Sequence, residues 1–77
     1  MAGAESQPTR EEWIGAFARR AGVDEPTPQE ADALLKLAGI AAHSSERTSA
    51  PLACWVAGRS GRPLQELLAE AAQVSPE

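Results

Sequence analysis

The polar run His43-Ser44-Ser45-Glu46-Arg47-Thr48-Ser49 holds the residue types best suited to gripping an anion. His43 closes an apolar helical stretch, and Arg47 follows four residues on, just ahead of the next helix start. A helix N-terminus offers free amides and a partial positive charge. Arg47, His43 and the hydroxyls of Ser44, Ser45, Thr48 and Ser49 would add donors to it. Phosphate, pyrophosphate or a nucleotide is the chemistry that such a set fits. A structural reading competes with it: His43 caps the carbonyls of its own helix, and Arg47 pairs with Glu46 or another carboxylate.

Other constellations are weaker. Cys54 with His43 is a nucleophile–base combination that lacks an orienting group and an oxyanion site. A helical cysteine beside Trp55 reads as packing. Gly58-Arg59-Ser60-Gly61-Arg62-Pro63 has glycines and basic residues but neither the Gly-Lys-Ser/Thr ending nor the preceding strand of a phosphate loop. It reads as a helix end. Residues 47–65 hold Arg47, Arg59 and Arg62 without an acid, and the third helix would put roughly 15 Å between Arg47 and Arg59. That makes two basic spots rather than one pocket. Trp13 and Trp55 fall at helical spacing and read first as core anchors, while a part-exposed Trp would mark an interface. Glu11-Glu12 and Asp24-Glu25 are explained by capping and by a loop.

Composition narrows the functions further. The chain has 77 residues, 7 Lys and Arg against 11 Asp and Glu, and a net charge of −4. Its 43% hydrophobic content amounts to 33 residues, of which 16 are alanine, so only 17 larger apolar side chains remain. Such a chain builds one thin core and suits neither a two-layer enzyme nor an interior polar site. The negative charge argues against a nucleic-acid binder. One Cys and one His exclude an internal disulfide and a zinc site made of the chain's own Cys and His. With no apolar run of membrane-spanning length and no signal-like stretch, a cytoplasmic protein is expected.

The elements that must position these residues are helices. Thr9-Arg10-Glu11-Glu12 forms a capping box, Trp13, Ile14, Phe17, Ala18 and Ala21 follow at helical spacing, and Gly22 supplies the stop. Thr27-Pro28-Gln29-Glu30 opens a second helix, broadly apolar from Ala31 to Ala42 and therefore central. Gly39 inside it suggests a close helix crossing. The polar run from His43 then reads as the longest loop, too long for a helix-turn-helix. Ser49 or Ala50 opens a third helix carrying Leu52, Trp55, Val56 and Arg59. Pro63 starts a fourth with Leu64, Leu67, Leu68, Ala71 and Ala72, which Val74 would extend. The expected architecture is all-α: a small antiparallel four-helix bundle with short loops, residues 8–74, flanked by disordered tails at 1–7 and 75–77. Its expected anchors are Trp13, Phe17, Leu34, Leu37, Ile40, Leu52, Trp55, Leu64, Leu67 and Leu68.

Three stretches carry a resemblance. They are Trp13-Ile14 running into Ala21-Gly22-Val23, the Leu34-Leu35 helix ending in Ala42-His43, and Arg47-Thr48-Ser49-Ala50-Pro51-Leu52. From Glu12 to about Ala72 the chain resembles a small bacterial family of helical domains of unknown function associated with molybdopterin-guanine dinucleotide biosynthesis. Cys54-Trp55 stands where the family's helix has Phe or Leu. The resemblance implies a pathway association and no reaction. The partner would be a protein of molybdenum cofactor maturation, such as a guanylyltransferase, or a molybdoenzyme. It also raises the interest of His43 and Arg47.

The resulting expectation is a non-enzymatic accessory or interaction domain without a resident cofactor. Trp13 or Trp55 would dock the protein partner, while His43, Arg47, Ser49 and Arg59 would set register or contact a molybdopterin guanine dinucleotide or nucleotide phosphate. The alternatives are an anion- or nucleotide-binding module built on the His43–Arg47 loop and a purely structural homodimer. Neither nucleic acid nor membrane is an expected partner.

Overall fold

In the computed structural model, which describes residues 7–74, four helices follow one another with no strand among the described residues. They are α1 (Arg10–Ala21), α2 (Pro28–Ser44), α3 (Ser49–Ser60) and α4 (Leu64–Ala71). Of the tails expected at 1–7 and 75–77, residues 1–6 and 75–77 lie outside the described residues, and Gln7 is exposed coil.

Two threonines set the frame. Thr9 Oγ1 accepts from the Glu12 amide at 3.0 Å, and Glu12 Oε1 accepts from the Thr9 amide at 2.9 Å. Thr27 and Glu30 repeat the exchange at 3.1 and 2.8 Å. Each box satisfies amides that a helix start leaves open. Gly22 ends α1 and Gly61 ends α3, both in the left-handed conformation that glycine adopts without penalty.

α2 is the central element, packed against both α3 and α4, while α1 touches the rest more sparsely. The buried apolar residues are Ala18, Ala33, Leu37 and Ala57. Alanine at three of four positions lets helix axes approach toward the low end of the ordinary interaxial distance, about 8 Å. Leu34, Ile40, Leu64, Leu67 and Leu68 are half-buried around this seam.

Several expectations need correcting. Trp13, Phe17, Leu52 and Trp55 are not core: they are 55%, 56%, 67% and 62% exposed. The alanine seam explains why, because large rings between α2 and its neighbours would hold the helices apart. Gly39 marks no close crossing, since a Cβ built there meets nothing within 4 Å. α2 runs on through His43 to Ser44, which leaves Ser45–Thr48, four residues, as the link to α3. Loop length therefore no longer argues against a helix-turn-helix; the net charge of −4 still does. Gly58 lies inside α3, and Val74 stands beyond α4, exposed.

Candidate functional site

The His43–Arg47 region is built differently from the expected anion grip. His43 sits exposed in the last turn of α2, and its ring makes no hydrogen bond among the described residues; the Ser45 amide closes that helix by donating to the Ala41 carbonyl at 3.1 Å. Arg47 is exposed on the link without an ion pair among the described residues. The amides that would hold an anion are occupied. Ser49 donates to the Glu46 carbonyl at 2.9 Å, Ala50 to the Arg47 carbonyl at 3.1 Å, and Pro51 has no N–H. Thr48 makes no side-chain cap. What remains is a tight polar turn with a cation and an imidazole on its surface.

The three basic residues of 47–65 separate by partner. Arg62 Nη2 donates to Glu70 Oε2 at 2.6 Å and Glu66 Oε1 at 3.3 Å. The pairing holds the Glu70 carboxyl below its ordinary range. Arg59 lies over the Trp55 ring, 5.1 Å from its centroid. Arg47 stays apart from both.

The aromatic residues form the most distinctive surface. Trp13 and Phe17, one turn apart on α1, have ring centroids 5.2 Å apart and planes tilted by 31°. The inward residues of α1 are Gly15 and Ala18 on the opposite flank. On α3, Leu52, Trp55, Val56 and Arg59 repeat at helical spacing on the outer side, while Ala57 faces the core. Every aromatic side chain of the chain is thus more than half exposed. Among the described residues no polar or charged side chain is buried, and no three His, Cys, Asp or Glu side chains gather in a metal-binding cluster.

Cys54 is turned inward. Its Sγ lies 3.9 Å from the Leu34 carbonyl oxygen, and burial pushes its thiol up from the ordinary range. The side chain packs α3 on α2 and is suppressed as a nucleophile, because the thiolate is the reactive form. It also lines a feature that sequence reasoning missed: a cleft of 340 Å³ between α1 and α2. Ile14, Leu34, Leu35 and Ala38 supply apolar walls, and Glu25 and Asp32 stand among its charged residues. None of His43, Arg47, Ser49, Arg59, Trp13 or Trp55 lines it. Its walls come from positions forty residues apart, so no local motif announces it.

No helix of the described residues is long and apolar enough to cross a membrane. No curated protein and no solved structure matches the chain. Residues 5–75 match the family model described as a domain of unknown function (DUF6457), and the chain belongs to that family.

Proposed function

We propose that this DUF6457 domain is a non-enzymatic interaction module that docks a protein partner through its outward aromatic faces. One observation carries the reading: the chain buries alanine and exposes its three aromatic residues. Solvent exposure of Trp and Phe loses the hydrophobic stabilisation that burial would give. Trp is also the residue type most enriched at binding hot spots. The Trp13–Phe17 stack offers a preformed ledge, and the Leu52–Trp55–Val56 stripe offers a second face, with Arg59 as its polar edge. His43, in the last turn of α2, and Arg47, on the link that leads into α3, supply polar register to the second face.

The class of partner, a protein of molybdenum cofactor maturation or a molybdoenzyme, is carried by the sequence resemblance alone. Affinity capture from the native host tests both parts. A bound protein of that pathway, retained by Arg47→Ala and lost with Trp55→Ala, is the expected result. Recovery only of proteins unrelated to molybdenum would overturn the pathway assignment. A capture profile indifferent to Trp55 would overturn docking through α3.

A further inference from the structure

The cleft between α1 and α2 is the strongest feature that the aromatic faces leave unused. Its volume of 340 Å³ stands near the small end of ligand-sized clefts, roughly 300–1,000 Å³. That is room for a few aliphatic side chains rather than for the body of a second helix. Ile14 on one side and Leu34, Leu35 and Ala38 on the other make it apolar.

The charges around it are unbalanced. Arg10 Nε donates to Glu11 Oε2 at 3.0 Å, and the two residues cancel each other. Glu25 and Asp32 make no ion pair among the described residues; Arg19 Nη1 stands beside Glu25 over Gly15 without pairing with it, and Asp32 has no such neighbour among the cleft's lining residues. The first of these carboxylates lies against α1. Glu25 Oε1 reaches over the buried Gly15, where a Cβ would come within 2.7 Å of it. The glycine in α1 thus lets the flexible Glu25 carboxylate approach the helix beside the apolar walls.

The geometry points to a docking site for a basic amphipathic segment of a protein partner, which sinks aliphatic side chains between α1 and α2 and sets Lys or Arg against Glu25 and Asp32. Charge complementarity selects this occupant: an acidic segment would meet two unpaired carboxylates on a molecule that is already net −4. The inference rests on the reading of the chain as an interaction domain, not on its aromatic faces.

A methyl-labelled full chain titrated with two synthetic helical peptides of about 15 residues tests it. Both peptides carry the same leucine stripe; one fills the other positions with Lys, the other with Glu. The Lys peptide is expected to shift the methyls of Ile14, Leu34 and Leu35. Glu25→Gln with Asp32→Asn should weaken it about fivefold, the scale of two surface ion pairs. Leu35→Gln, at an exposed position that the fold tolerates, should weaken it as well. Equal binding of the Glu peptide, shifts confined to the Trp13 and Trp55 faces, or no shifts at all would overturn the proposal. Methyl shifts that grow with protein concentration alone would assign the cleft to a second copy and overturn it too. Failure here leaves the Trp55 dependence of partner capture untouched, so the two readings fail separately.

Discussion

Trp55 and Trp13 owe their exposure to the register of their helices. Helical spacing tells which residues share a face but not which face turns inward, so Trp13 with Phe17 and Trp55 with Leu52 fit a core as well as a surface. Only the position of the alanines, Ala18 and Ala57 on the opposite flanks, decides it. Trp55→Ala should accordingly alter folding stability by no more than about 1 kcal/mol, the scale of an exposed cation–π contact with Arg59. Thermal unfolding of the variant checks this. Cys54 behaves in the opposite way. Because its thiol is raised by burial, the protonated form is favoured in the folded state. Its contribution to stability is complete below the unfolded thiol value of about 8.5 and is lost as pH rises through the folded one. Denaturant titrations from neutral to alkaline pH should show that loss in the native protein and not in Cys54→Ala. Iodoacetamide should also alkylate Cys54 more slowly in the folded protein than in the unfolded chain.

At the scale of elements, the helix starts were the most legible feature. Thr9 and Thr27 with their partner glutamates leave a four-residue signature that needs no tertiary information, and both boxes close as expected. Polar ends were the least legible. His43 and Ser44 continue α2 although their side chains suit a loop equally well, and the start of α3 carries no side-chain cap to announce it. The two boxes should differ in reach. Thr27→Ala removes a cap worth about 1 kcal/mol from the helix on which α3 and α4 pack, and should lower global stability by that amount. Thr9→Ala should act more locally, speeding amide exchange in α1 before global unfolding changes. Gly39 and Gly58 offer the reverse test. Both lie within helices, at ordinary φ and with open space at the Cβ position. Either one changed to Ala should stabilise the fold by about 0.5–1 kcal/mol in urea unfolding.

Across the whole molecule, the all-α class was legible from composition and capping, and the cleft was not, because residues such as Ile14, Leu34 and Cys54 meet only through packing. The core is thin and hangs on α2. Leu37 is its only large buried apolar side chain among the described residues. Leu37→Ala should cost about 2–5 kcal/mol, comparable with the whole stability of a domain this small, and leave little cooperative unfolding in a calorimetric scan. On the proposed reading, a partner covers the aromatic surface that so slight a core leaves exposed. The most direct test is to titrate the captured partner into the native domain and into Trp13→Ala and Trp55→Ala by calorimetry, with unfolding midpoints measured alongside. Docking through the aromatic faces predicts that at least one variant loses about 2 kcal/mol of binding free energy, roughly thirtyfold in affinity, while both keep their fold. Affinities within twofold of the native value for both variants would contradict it.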